Sequence, residues 1–255
     1  MTKIQRKRRA QKVVVSGQVI ERYKYTIPID VDEREHEVKR KEDITEREKR
    51  DDNLFRARQK IRRYIWANQT EYTKFVTLTF MNTCLDLNKV LNDWKNFARQ
   101  LKRHGFDLKG KYIWILEHQK ERGLKEGNEG SYHIHAVLFY DEFIPFEVLN
   151  KCWKHGSTDI HKTKAINNLG AYICKYLTKE EFILVEKNSY HIGRGLNKPL
   201  ELCQDGYTTE LNDLFDLINE HADYYYSNIS EYAFEMPDGS IFQNSVQYQQ
   251  GKVKL

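Results

Sequence analysis

Between Lys74 and Leu101 the hydrophobic period changes from two to that of an α-helix, and this switch sets what the chain can fold into. In KFVTLTF, residues 74–80, Phe75, Thr77 and Thr79 alternate with Val76, Leu78 and Phe80, as the two faces of a strand require. Leu87, Val90, Leu91, Trp94, Phe97, Ala98 and Leu101 follow at helical spacing, and Gly105 stands where a C-terminal cap belongs. Two further strands are read in KYIWILEHQ and YHIHAVLFY, joined by the glycine-bearing loop KERGLKEGNEGS. A short helix is expected from Phe146 to Lys154, an edge strand at STDIH, and a helix over 165–180 carrying Ile166, Leu169, Ile173 and Leu177. FILVEKNSYHI reads as a last strand. This order predicts an α+β domain, an antiparallel sheet with helices packed on it.

The flanks differ in character. Residues 13–27 contain strand-prone side chains around Ser16-Gly17 and suggest a hairpin or irregular β arm. From Asp30 to Asp52 nearly every residue is polar, so that stretch is a linker or a solvated helix. Leu54, Ala57, Ile61 and Ile65 then mark the apolar stripe of a basic amphipathic helix. After residue 200 come a helix-like run, Leu211, Leu214, Phe215 and Ile218, an aromatic cluster HADYYYSNISEYAF and a PDG turn. Formal charge is +8 over 1–63, +5 over 64–199 and −8 over 200–255. We therefore read a basic N-terminal arm and charged linker (1–63), a central domain (64–199) and an acidic C-terminal extension or small subdomain (200–255). A basic segment suits the phosphate backbone of nucleic acid, where each neutralised phosphate releases counterions.

Cys84, Cys152, Cys174 and Cys203 form no C-x-x-C pair, which argues against a zinc knuckle or a disulfide framework. No run approaches the roughly 18 apolar residues of a membrane span, and no secretory signal follows MTKIQRKRRAQK, so a cytoplasmic protein is expected.

His133 and His135 sit one residue apart in a strand, so they emerge on one face, with Ile134 and Ala136 on the other. Neutral imidazoles at that spacing suit one divalent ion, although such a pair is also compatible with ordinary core or surface roles. A hairpin would bring Glu117 and Gln119 of the preceding strand beside them, with Glu117 the first choice as third ligand and His118 facing away. A carboxylate with two imidazoles fits Mn²⁺ or Mg²⁺ better than a closed zinc site.

In AYICKYLTKE, Tyr172, Lys175, Tyr176 and Lys179 share one broad helical stripe, apart from Ile173 and Leu177. A tyrosine attacks a phosphodiester when its phenolate is stabilised, and neighbouring ammonium groups do this. The alternative is an amphipathic helix whose tyrosines pack and whose lysines face solvent.

Taken in order, FVTLTF, YHIHAVLF and YICKYLTK resemble the three motifs of HUH endonucleases, specifically the rolling-circle replication initiators of small phages and bacterial plasmids with a two-tyrosine Y-x-x-K-Y-x-x-K helix. The resemblance spans residues 75–180 and extends toward GRGLNKP at 193–199. It implies an HUH/RRM-like core with the histidine strand central and the tyrosine helix laid across it. It further implies metal-dependent nicking and rejoining of single-stranded origin DNA through a 5′-phosphotyrosine. His133, His135 and Glu117 carry over as metal ligands, and Tyr176, ahead of Tyr172, as nucleophile, with Lys179 and Lys175 beside them. Arg194 and Lys198 are candidate phosphate contacts. A single-strand transposase or relaxase would use the same chemistry, although a relaxase places its tyrosine ahead of the histidines. A non-catalytic module stacking single-stranded DNA on aromatic side chains leaves the histidine pair unexplained. GFDLKGKY, residues 105–112, approximates a phosphate-binding loop, but Tyr112 replaces its metal-binding hydroxyl and the stretch leads from helix to strand. Strand separation is therefore expected to need a separate helicase.

Overall fold

The computed structural model describes residues 8–30, 46–119, 130–161, 163, 166, 168–178, 189–204, 210–235 and 239–253. Among these, ten strands and five α-helices form two antiparallel five-stranded sheets, an α+β fold. By packing, the chain divides into residues 47–197 and residues 1–46 with 198–255, a division that cuts it differently from the three segments read from charge.

In the 47–197 unit the strands are β3 (Lys74–Thr79), β4 (Tyr112–Gln119), β5 (Ser131–Leu138), β6 (Thr158–His161) and β7 (Tyr190–Ile192), following β1 and β2 of the other unit. Their order is β6-β3-β5-β4-β7, with the histidine strand β5 in the middle and the STDIH strand at an edge. Alternation then sorts the side chains onto two faces. On one, Val76, Leu78, Trp114, Leu116, Ile134 and Ala136 are buried against α2 (Leu87–Arg103) and α3 (Phe146–Cys152). Asp86 caps α2 by accepting from the Asn88 and Lys89 amides, and Gly105 follows it with φ +90°.

The second face carries Phe75, Ile113, Ile115 and Val137, covered by α1 (Glu46–Asn68) and α4 (Leu169–Cys174). Within highly charged α1, Leu54, Ala57, Ile61 and Ile65 make the stripe that meets the sheet. Each fully buried Leu or Ile of that stripe contributes about 1.5–3 kcal/mol. Thus the second face is apolar along most of its length, and its polar residues gather at one end.

The helix expected over 165–180 is shorter in the structure. Asn168 caps it by accepting from the Ala171 amide, and α4 ends at Cys174. Beyond it the backbone tightens: the Lys175, Tyr176 and Leu177 amides donate to the carbonyls three residues back. Tyr172 is therefore on the helix, and Tyr176 in the turn that follows. Residues 182–188 of the expected last strand lie outside the described residues, and β7 accounts for its end.

In the other unit, β1 (Arg8–Ser16) and β2 (Val19–Asp30) form a hairpin at Gly17, φ +61°. They join β8 (Leu200–Gln204), β9 (Ala222–Glu235) and β10 (Ile241–Val253) in the order β8-β1-β2-β10-β9. The acidic tail and the basic hairpin thus share one sheet, with Val13, Ile20, Ala222 and Phe215 of α5 (Glu210–Glu220) in its core.

Candidate active site

Register places the polar residues. Glu117 of β4 stands directly opposite His133, and Ile115 opposite His135. On the other side of β5, Thr79 faces His133 and Thr77 faces His135. One strand further out, Asp159 faces Thr77 and His161 faces Phe75. Glu117, His133, His135, Thr77, Asp159 and His161 therefore share one face of the sheet. His118 points to the opposite face with Tyr132, as expected, and Gln119 lies further along, opposite Ser131.

Among these side chains the closest polar contact is between Glu117 Oε2 and His135 Nε2, 2.7 Å. The other ring nitrogen, Nδ1, is 3.1 Å from Thr77 Oγ1, which in turn is 3.4 Å from His161 Nε2. Burial lowers the pKa of His135 despite the Glu117 contact, which favours the neutral ring. Burial raises the Glu117 carboxyl, but the His135 hydrogen bond and the charges of His135, His133 and Lys175 outweigh it, leaving the pKa below the usual value. A neutral imidazole beside a carboxylate donates through Nε2–H, so Nδ1 is left to accept from Thr77.

Above these residues lie the two tyrosines. The Tyr176 ring stacks on His135, with centroids 3.6 Å apart and planes 11° from parallel. Tyr172 meets Tyr176 edge-on at 6.1 Å. Lys175 places its ammonium 3.8 Å from the Tyr172 ring centre and 4.7 Å from that of Tyr176. The hydroxyls are inequivalent. Hydrogen bonding from Tyr176 and Lys175 lowers the pKa of Tyr172, whereas burial and then Tyr172 raise that of Tyr176. Phe75 underlies the cluster, 5.5 Å from Tyr172 and 6.0 Å from Tyr176.

The tyrosine turn is held from α1. Arg58 donates through Nε and Nη2 to the Leu177 carbonyl at 3.1 and 2.7 Å, and Cys174 Sγ lies 3.5 Å from the Arg58 carbonyl. Gly170 brings α4 close to α1: a Cβ there would sit 3.0 Å from Arg62 Cα.

Of the residues read from the sequence, the fold brings Glu117, His135, Tyr172, Tyr176 and Lys175 together, with His133 on the same face. Lys179 lies outside the described residues. Arg194 is exposed in the turn after β7, whose Gly193 and Gly195 amides donate to Tyr112 and Gly110; Lys198 belongs to the other packing unit. Thr77, Asp159, His161 and Arg58 escaped the sequence reading. A signal existed for three of them: Thr77 alternates inward in FVTLTF, and Asp159 and His161 alternate in STDIH.

Among the described residues, no three His, Cys, Asp or Glu side chains are grouped so as to hold a metal ion. The donors His133, His135 and Glu117 nevertheless have the chemistry that divalent ions take, and register sets them on one face. For all three to bind one ion, the hydrogen bond between Glu117 and His135 must open.

No helix among the described residues is long and apolar enough to cross a membrane. Comparison with curated proteins and with solved structures gives no match. Residues 73–181 match the model of a family described as Replication-associated protein ORF2. That segment opens just before β3 and closes just beyond the tyrosine turn, so it takes in the sheet face and the side chains described above. Over these residues the chain accordingly belongs to the replication-associated protein ORF2 family, a family of rolling-circle replication initiators.

Proposed function

We propose that this replication-associated protein nicks and rejoins single-stranded DNA at an origin, through a tyrosine that becomes covalently bound to the 5′ end. The observation that carries the reading is the contact between Tyr176 and His135, with Lys175 over both tyrosine rings and Glu117 bonded to the same imidazole. Nucleophile candidates and metal-type donors thus meet on one face of a domain from a replication-initiator family.

In the forward step a tyrosine oxygen, its proton removed, attacks the scissile phosphorus. A new P–O bond forms to tyrosine and the P–O3′ bond breaks. The leaving oxygen takes up a proton to become a 3′ hydroxyl, which can prime synthesis. Attack by a 3′ hydroxyl on the phosphotyrosine reverses the exchange and rejoins the strand. The more acidic Tyr172 hydroxyl favours Tyr172 for the first attack, the reverse of the order expected from the sequence, and leaves Tyr176 for the second. Lys175 stabilises the phenolate, and Lys179 is proposed to assist it.

His133, His135 and Glu117 would hold the divalent ion, Mn²⁺ or Mg²⁺. When bound, such an ion polarises the scissile phosphate and offsets charge developing on it. Arg194 and Lys198 are proposed to contact the DNA backbone, and a separate helicase to open the duplex.

The test is to incubate the protein with labelled single-stranded origin DNA and Mn²⁺ and look for an adduct that survives denaturation. Wild type should form it, the Tyr172→Phe/Tyr176→Phe double variant should not, and chelation should abolish it while sparing DNA binding. Equal adduct yield from the double variant would overturn the tyrosine mechanism. A non-catalytic binding module would bind DNA with neither dependence.

A further inference from the structure

We propose that Thr77 and His161 are positioning residues that determine which ring nitrogen of His135 is free to bind an ion. The inference rests on the cation reading above and deepens it. It starts from a row of four groups across neighbouring strands: Glu117 Oε2, 2.7 Å from His135 Nε2; His135 Nδ1, 3.1 Å from Thr77 Oγ1; and Thr77 Oγ1, 3.4 Å from His161 Nε2.

Thr77 has one hydroxyl proton and stands between two ring nitrogens, so it donates to one and accepts from the other. With His135 donating to Glu117 through Nε2–H, its Nδ1 is bare and takes the Thr77 proton. Thr77 oxygen then accepts from His161 Nε2–H, a group also 3.4 Å from Asp159 Oδ2. An ion on His135 Nε2 demands the opposite arrangement, because that nitrogen must offer a lone pair. The ring proton then resides on Nδ1 and points to Thr77, and the Thr77 proton turns to a bare His161 Nε2. No proton is gained or lost: His135 and His161 each exchange one tautomer for the other, and the hydroxyl between them reverses.

The surroundings suit this role. Thr77 is nearly buried, so no bulk water replaces its hydroxyl, and the His161 ring is fixed by stacking on Phe75 at 4.7 Å and 25°. Partners of this kind orient a ligating histidine and raise its basicity. The threonine of FVTLTF thereby has a function that valine, similar in shape and also strand-forming, cannot supply.

The full chain is titrated with Mn²⁺ in the absence of DNA, with free Mn²⁺ read by electron spin resonance and the His135 ring nitrogens read by ¹⁵N NMR before metal is added. Thr77→Val and His161→Phe should weaken Mn²⁺ binding roughly 10- to 100-fold. Both should also move the His135 nitrogen shifts, and Thr77→Ser should restore wild-type affinity. Phenylalanine keeps the ring stack on Phe75, and melting curves separate ligand positioning from loss of fold. Wild-type Mn²⁺ affinity and unmoved shifts in both Thr77→Val and His161→Phe overturn the proposal while leaving the cation site standing, provided His135→Ala and Glu117→Ala abolish binding. If those two variants bind Mn²⁺ like wild type, the cation reading fails and this inference with it.

Discussion

Tyr176 closes one face of the His135 imidazole, its ring lying 3.6 Å away and nearly parallel. Tyr172 stands edge-on to Tyr176, with the Lys175 ammonium nearer its ring. The two tyrosines are therefore not interchangeable, and phenylalanine at each should separate their roles. Tyr172→Phe should abolish the first adduct. Tyr176→Phe keeps the stack, so it should form adduct in near-wild-type yield and fail in rejoining. Wild-type adduct yield from Tyr172→Phe would instead assign the first attack to Tyr176.

Acid should destabilise the metal-free protein through the same pair. His135 has a folded pKa below its ordinary 6.5, chiefly through burial. Its contribution to stability is complete above 6.5 and is lost as pH falls from there through the lowered folded value. Glu117, whose folded pKa is also below its ordinary 4.5, contributes above 4.5 and loses that contribution as pH falls through its own folded value. Urea unfolding with chelator present, at a series of pH values, should show stability declining below 6.5, and His135→Gln should flatten the first part of the decline. His191, lowered by burial too, adds to the slope of both proteins, so the difference between them isolates His135. Identical slopes would show that His135 is not held neutral by the fold.

Much of this site was legible because it depends on strand alternation. Period two placed His133 and His135 on one face, and a hairpin sufficed to bring Glu117 beside them. What period could not convey is long-range. The row through Thr77 and His161 needs β3 between β5 and β6, an order set by the packing of both faces. The shortening of the tyrosine helix is likewise non-local: its last carbonyl is taken by Arg58, 119 residues earlier in sequence. On the flanks, Tyr23 pairs with Tyr248, a register no local pattern reports.

Gly156 fixes the end of β3 that bears Thr79. The Thr79 amide donates to Ser157 and the Met81 amide to His155, while Trp153 Nε1 donates to the Thr79 carbonyl at 2.8 Å. A Cβ on Gly156 would lie 2.1 Å from the Thr79 oxygen and 2.6 Å from the Met81 nitrogen, both backbone atoms. Gly156→Ala should therefore cost about 1–3 kcal/mol in denaturant unfolding, the range for overpacking a filled site. A neutral result would mean that the loop before β6 shifts freely without disturbing β3.

Arg58 offers the sharpest separation of stability from positioning. Its two donors converge on the Leu177 carbonyl, at the end of the turn that carries Tyr176. That carbonyl follows the last i to i−3 bond of the turn, whose donor is the Leu177 amide, so the guanidinium ties down the backbone where regular helix has already stopped. Hydrogen bonds to a charged donor are each worth about 1.5–3 kcal/mol when well formed, and partial exposure of Arg58 reduces this. Arg58→Met keeps much of the aliphatic stem and removes both donors. It should lower stability by about 1–2 kcal/mol, while reducing adduct yield more than unfolding accounts for, because the tyrosine turn loses its anchor. Arg58→Lys, able to make one of the two bonds, should fall between. The measurement is adduct yield at a temperature where wild type and both variants are fully folded by circular dichroism. Wild-type yield from folded Arg58→Met would show that stacking on His135 positions Tyr176 without help from α1.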